Sequence, residues 1–407
     1  MIKEFLYNHA ARRPVSFHMP GHKGSALYRR FGYDAFLDGS FGAGSGPTGC
    51  GSTGSGTAES GREGGFLDLD ITEIPGADDL FVADGIIGRV QERYAELYGA
   101  KRSYLMVNGT SGALIASILT CVPRGGKMII GTNSHRAVTN GLALAGAEPV
   151  FVEPVSLWGG DVEDPVDPEQ VKKAVEANPD AYAILITSPN YYGIVSDIEE
   201  IAAIAHEAGM ILIVDQAHGA HLAAFGRFGR DGNMPAPAEK LGADIVTCSV
   251  HKTMASMTQS AVLHVISDRV DTDLIEEKLW MVESSSPSYI LMTSLDINAD
   301  LVEKHGEELI REWDEGLDLF YEEAAKIRGI RTLCGYIEET GINMSVDRSK
   351  IVVDAGMPAE QLEGMLMERN LFCEKKNGSA LVCLSGIGNT KEDYAALAQA
   401  LREIVQG

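Results

Sequence analysis

Between about residue 80 and residue 265, short apolar runs alternate with amphipathic helical stretches, and this alternation limits the possible folds more than any other feature. Ser103-Tyr-Leu-Met-Val, Lys127-Met-Ile-Ile-Gly, Tyr182 to Thr187, Met210 to Asp215 and Asp244-Ile-Val-Thr-Cys have the length and apolar content of buried strands. Helical spacing separates them, as in Asp197 to Ala208. A strand joined to its neighbour through a helix runs parallel to it, and the helices then cover the faces of the sheet. The expectation is an α/β protein with a mostly parallel central sheet sandwiched by helices. Ser260-Ala-Val-Leu-His-Val reads as a further strand. With 407 residues, 45% of them apolar, there is material for this domain and a smaller one.

Open α/β sheets place ligands at the C-terminal ends of their strands. The strand Asp244 to Cys248 runs into Ser249-Val-His251-Lys252-Thr253. Lysine is seldom buried without a partner. One that ends a buried strand, between hydroxyls and a histidine, reads as an amine for a Schiff base with a carbonyl cofactor, the hydroxyls holding a phosphate. The plainer reading is a surface lysine in a turn. The strand Met210 to Asp215 ends in an acid, followed by Gln216-Ala217-His218-Gly219-Ala220-His221. Asp215 could pair with a pyridine nitrogen and keep it protonated, or simply serve a turn. Ala217 is small enough to lie flat under a ring.

Two further strand ends add to this set. Asn108-Gly-Thr110-Ser111-Gly112 opens a helix, where free N–H groups and the helix dipole attract an anion. A plain Thr/Ser cap is the alternative. His135, in Asn133-Ser-His-Arg136, begins another helix and could stack on a planar ring or stand exposed as a cap. An imine lysine, a phosphate cup and an acid for a ring nitrogen are together what pyridoxal 5'-phosphate requires.

The order of Asn-Gly-Thr-Ser-Gly, Asn-Ser-His-Arg, Ser-Pro-Asn-Tyr-Tyr-Gly, Asp-Gln-Ala-His-Gly-Ala-His and Ser-Val-His-Lys-Thr resembles the fold-type-I pyridoxal-phosphate enzymes. Within them it is similar to the ornithine/lysine/arginine decarboxylase family. His18-Met-Pro-Gly-His-Lys-Gly24, Asp70 to Glu73 with Pro75 to Leu80, and Ser284 to Leu295 match that family too. The similarity covers roughly residues 1–300. It implies that Lys252 carries the Schiff base, Asp215 meets the ring nitrogen and His135 stacks on the ring. It also implies that Thr110, Ser111, Ser249 and His251 lie near the phosphate, with Ala217 and His218 also around the cofactor. It implies a homodimer or higher homo-oligomer with shared active sites, and His18–Gly24 and Ser284–Ser288 are suited to reach a neighbour. The sequence departs from the family in a long Gly-rich stretch near the start. It departs again after Lys252, where 155 residues follow without a Pro-Pro-Gly-Ile-Pro-like segment.

The cofactor leaves open which bond of an amino acid breaks. The C-terminal strand Ala380-Leu-Val-Cys-Leu-Ser-Gly-Ile-Gly holds no arginine to clamp a carboxylate, which favours decarboxylation over aminotransfer. Arg328, Arg331, Arg348 and Arg369 are the other candidates for such a clamp. The expected reaction is decarboxylation of a basic amino acid, arginine first and lysine or ornithine next, to its amine and CO2. Lys252, Asp215 and His135 would be catalytic, and His251 a candidate for returning a proton to the α-carbon. Glu374, in Phe-Cys-Glu-Lys-Lys, is a candidate for meeting the substrate's distal cation, or else an exposed turn residue. The alternatives are another reaction of the same fold, such as aminotransfer or a lyase step, and a catalytically idle cofactor-binding protein.

The chain divides into an N-terminal arm with a Gly-rich segment (1–70), a large cofactor domain (71–297) and a bridging helix with a small α+β domain (298–407). In the last part, Gly341 to Val346 and Ala380 to Leu384 read as strands, and Pro358 to Glu368 and Lys391 to Val405 as helices. In 39–65, 19 of 27 residues are Gly, Ser or Thr, so a mobile loop or lid is expected there. Its two G-x-G-x-x-G matches follow no strand, which argues against a dinucleotide site. A net charge of −24 disfavours nucleic acid or an anionic membrane as partner. Six scattered cysteines and no apolar run near 18 residues suggest a reduced, cytoplasmic protein. The histidines suggest no metal site, because His218 and His221 follow a strand rather than share a helix face.

Overall fold

The structure, a computed structural model, describes residues 2–39, 65–154, 156–157 and 160–406. The Gly-rich loop expected at 39–65 lies almost wholly outside the described residues. In chain order the strands are β1 (Val15–Phe17), β2 (Arg102–Met106), β3 (Lys127–Gly131), β4 (Glu148–Val152), β5 (Ser156–Leu157), β6 (Val162–Glu163), β7 (Ala181–Thr187) and β8 (Ile211–Asp215). They continue as β9 (Ile245–Cys248), β10 (Ala261–Val265), β11 (Arg331–Thr332), β12 (Lys350–Asp354), β13 (Leu371–Cys373), β14 (Lys375–Asn377) and β15 (Ala380–Leu384).

Seven of these strands form the central sheet in the order β2-β10-β9-β8-β7-β3-β4. The β4–β3–β7–β8–β9 pairs are parallel, and only β10 runs against its neighbours. Pleating sends alternate side chains to opposite faces. Leu212 and Val214 of β8 enter one core cluster while Ile213 enters another on the far side. Both faces are thus buried, which is why these strands read as unbroken apolar runs. The same alternation puts Thr187, Asp215 and Thr247 in one register row across β7, β8 and β9. Asp215 therefore ends the central strand with a hydroxyl residue on each side.

The bridging helix expected to open the 298–407 region begins earlier, spanning Tyr289–Ala324, and the 297/298 boundary falls inside it. Its 36 residues extend for about 54 Å. A four-stranded antiparallel sheet, β11-β12-β15-β14, follows, covered by helices Ala359–Glu368 and Lys391–Gln406. One strand expectation fails here. Gly341–Val346 makes only an isolated bridge, Val346 to Ile194, and the sheet strand is β12 instead. The charged ends of Lys-Ile-Val-Val-Asp hide a segment whose five residues are all buried.

The N-terminal arm lies against its own chain. β1 pairs in parallel with β13, and the Gly21 N–H donates to the His251 carbonyl at 2.8 Å. A Cβ at Gly21 would stand 2.4 Å from the Thr253 carbonyl carbon, so glycine is what lets the arm approach this closely. The segment expected to reach a neighbour is thus placed on the Lys252 segment of the same chain.

Candidate active site

Ser249 ends the run of β9, and a single helical turn, Val250–Thr253, follows and carries Lys252. Burial pushes the Lys252 amine down to about 8, although Asp215 and Glu374 pull the other way. A minor but appreciable fraction of the amine is then neutral and nucleophilic near physiological pH, far more than for an exposed lysine. Its Nζ lies 2.9 Å from His218 Nε2. Burial, followed by the charge on Lys252, keeps the His218 ring neutral. His218 Nδ1 is buried without a partner, and its ring lies 4.5 Å from that of Tyr191.

Asp215 is buried, and its Oδ1 accepts from the Ala217 N–H at 3.1 Å and from Thr247 Oγ1 at 3.5 Å. Burial raises its carboxyl above the ordinary range, while Lys252 and, more weakly, His135 oppose that rise. His135 is exposed, and its Nδ1 accepts from the Ala137 N–H at 3.2 Å, so it caps the helix Arg136–Ala145. Both readings of this histidine survive, since a cap leaves its ring faces free.

The helix Gly109–Cys121 begins beside β9. Thr110 Oγ1 and Ser249 Oγ are 3.0 Å apart, which ties the two strand ends together. Ser111 occupies the first turn and Asn108 Oδ1 is buried without a partner. His251 Nδ1 is 2.7 Å from the Ser260 carbonyl, so that nitrogen carries the hydrogen. Burial holds the ring neutral, leaving Nε2 as an acceptor only.

Glu374 is half-buried between β13 and β14 rather than exposed. Its Oε1 accepts from the Tyr191 hydroxyl at 2.6 Å and its Oε2 from the Met19 N–H at 2.9 Å. The arm also brings Lys23, whose Nζ donates to the His18 carbonyl at 2.6 Å and the Leu384 carbonyl at 3.0 Å. Burial lowers this amine to about 7. Sequence reasoning placed both Tyr191 and Lys23 within family-like stretches but gave neither a role. Three of the four arginines expected as alternative carboxylate clamps are engaged with carboxylates: Arg331 with Asp354, Arg348 with Asp318, and Arg369 with Glu403.

His218 and His221 turn to different partners, Lys252 and Asp347. Glu239, Cys248 and His264 do converge in the core. However, the Gln216 amide nitrogen stands 3.0 Å from each Glu239 oxygen and 3.6 Å from the Cys248 sulfur. An N–H donor thus sits where a cation would have to be.

This architecture is that of the fold-type-I pyridoxal-phosphate enzymes. Lysine decarboxylase A from Pseudomonas aeruginosa superposes with a TM-score of 0.69 over 82% of this chain and 53% of that one, at 22% identity. The chain thus spans about half the length of that solved relative. The arginine decarboxylase of Bacillus subtilis is 29% identical over 98% of this chain and 76% of its own. An uncharacterized protein of the same organism, YaaO, is 31% identical over 98% of this chain and 77% of its own. The family model for the Orn/Lys/Arg decarboxylase major domain matches residues 63–331, and the chain belongs to that family.

Proposed function

We propose that the protein decarboxylates a basic amino acid, arginine first and lysine or ornithine next, with pyridoxal phosphate held as a Schiff base on Lys252. The observation that carries this reading is a half-buried, partly neutral lysine amine at one strand end with a buried aspartate at the next. The residues present fit the cofactor. Asp215, raised by burial, is relieved by a protonated ring nitrogen. His218 Nδ1 and Asn108 Oδ1 are polar atoms still lacking partners. The first turn of Gly109–Cys121, with Thr110, Ser111 and Ser249, suits a phosphate, and His251 follows Ser249 on the turn Val250–Thr253. Ala217 and His135 would bound the two faces of the ring.

When bound, the cofactor supplies an electron sink for the pair left behind by departing CO2. Asp215 sustains that sink by keeping its charge beside the ring nitrogen. Lys252 Nζ is the better placed group to return a proton to the α-carbon, because the one N–H of the neutral His251 ring is engaged with the Ser260 carbonyl. Glu374, fixed by Tyr191 and the arm, offers a negative charge to the substrate's distal cation. With Arg331, Arg348 and Arg369 each paired with a carboxylate, these three are not set to clamp the substrate carboxylate as an aminotransferase would. The test is to supply purified holoenzyme with arginine, lysine and ornithine and to measure CO2 and keto acid together. CO2 with the matching amine is expected. Keto acid without CO2 would make it an aminotransferase, and no turnover would make it an idle binder.

The same reading makes the protein a cytoplasmic homodimer with shared sites. No helix among the described residues is long and apolar enough to cross a membrane. Leu67, Val82, Trp280 and Met281 are exposed large apolar side chains, and Ser284 to Ser286 are exposed beside the last two. Val82 and Trp280 line one cavity, exposed apolar groups of this kind favour a partner, and a second copy meeting them about a two-fold axis would bring the serine loop to the other subunit. Mixing Lys252→Ala subunits with subunits altered at Ser284–Ser286 should restore activity in the mixed dimers. No recovery despite demonstrated subunit exchange would confine each loop to its own chain.

A further inference from the structure

Lys350 and Asp347 form a fully buried ion pair at 2.7 Å, a pairing with no marker in the sequence beyond its i,i+3 spacing. It sits on the seam between the C-terminal sheet and the large domain. There the Asp347 N–H donates to the Gly193 carbonyl at 2.7 Å, and Val346 bridges to Ile194. Gly193 has a φ of +88°, and a Cβ there would meet the Asp347 carbonyl at 2.6 Å, so the seam closes only around glycine.

Each charge of the pair reaches on to a different piece of the candidate site. Lys350 Nζ donates to the His218 carbonyl at 2.8 Å and to Ser349 Oγ at 3.1 Å. Asp347 Oδ1 lies 3.1 Å from His221 Nε2, and His221 Nδ1 lies 3.2 Å from Thr253 Oγ1. Ser349 Oγ stands 3.2 Å from the same Nε2. Burial alone would raise the Asp347 carboxyl, but His221 and Lys350 hold it well below the usual carboxylate range. One arm of the network therefore grips the backbone of His218, whose ring touches Lys252. The other grips Thr253, the residue after Lys252. A buried ion pair is a poor source of net stability, because desolvation offsets its attraction. Specifying the geometry of two loops at once is a better account of this one.

We propose that Lys350 and Asp347 are positioning residues that act through His218 and His221–Thr253 to set the amine of Lys252 against its partners. The proposal rests on the reading of Lys252 as the reactive amine. Removing one charge would strand the other in the core, so single variants risk misfolding. The informative variant is Lys350→Met with Asp347→Asn, which keeps the shapes and removes both charges. Two readouts are needed on the folded protein. One is the rate at which an N-hydroxysuccinimide ester acylates Lys252, followed by mass spectrometry on cofactor-free protein, with the exposed lysines as internal controls. The other is the split between kcat and KM on the loaded enzyme.

The expected result is a melting temperature close to wild type, an acylation rate altered only at Lys252, and a kcat lowered about a hundredfold with little change in KM. Asp347→Glu with Lys350 intact should recover part of the kcat, because it restores the charge. A well-folded double variant with unchanged Lys252 acylation and unchanged kcat would overturn the proposal. A parallel loss of stability and activity, with no selective change at Lys252, would also overturn it and leave the pair a structural element. Failure of wild-type protein to take up pyridoxal phosphate would instead refute the functional reading, and the acylation comparison would still judge the network.

Discussion

Lys252→Ala is expected to lower turnover about 10,000-fold, equivalent to about 5.5 kcal/mol of transition-state stabilisation. The variant loses both the covalent anchor and the amine placed to move the α-proton. Folding should survive, because Lys252 lies on a one-turn helix whose apolar neighbour Val250 remains to fill the core. Reduction of the wild-type holoenzyme with borohydride should fix a pyridoxyl group on Lys252, read by peptide mapping, and the alanine variant should carry no label. A label on Lys23 or Lys350 would move the assignment to one of the other two buried amines around the site. An alanine variant within tenfold of wild type would remove covalent anchoring from the mechanism.

Asp215→Asn should cost about 1,000-fold in kcat, or about 4 kcal/mol, while leaving most cofactor binding intact. Asparagine has the same shape and can still accept the Ala217 N–H, so the loop that follows is kept. The negative charge at the end of β8 is lost. Without it, the ring nitrogen of a bound cofactor would no longer be held protonated, and the cofactor would be a weaker sink for the pair that CO2 leaves behind. Absorbance should show cofactor loading near wild type, and steady-state rates should show the loss. Near-normal turnover would mean that this acid faces something other than the ring.

Much of the fold was legible because its strands are buried on both faces. β7, β8 and β9 alternate between two cores, so most of their positions are apolar, and the polar row Thr187, Asp215 and Thr247 near their C-terminal ends stands out as a break in composition. The helices Ile198–Glu207 and Gly109–Cys121 were equally plain. β12 was missed because Lys350 and Asp354, charged residues, bound it, and a lysine in a sequence reads as surface until a partner is known. The strand expected at Gly341–Val346 dissolved for the complementary reason. Its alternation is real, but it has only a single bridge to the 193–195 segment and no sheet to join.

Local pattern by itself determined which strand ends carry chemistry. Strands buried on both faces are mostly apolar, so Asp215 at the end of β8, and Lys252 and the Asn108–Gly112 turn just beyond β9 and β2, are visible as breaks in that pattern. Only the tertiary structure decided how those exceptions are held. The arm on Lys252, the clamp of Tyr191 and Met19 on Glu374, and the Lys350–Asp347 pair beneath His218 and Thr253 join residues up to 355 positions apart. Such contacts depend on how two domains close around a seam. That closure leaves no periodicity in the chain, because each side chain involved answers to a partner in space and not to its neighbours in sequence.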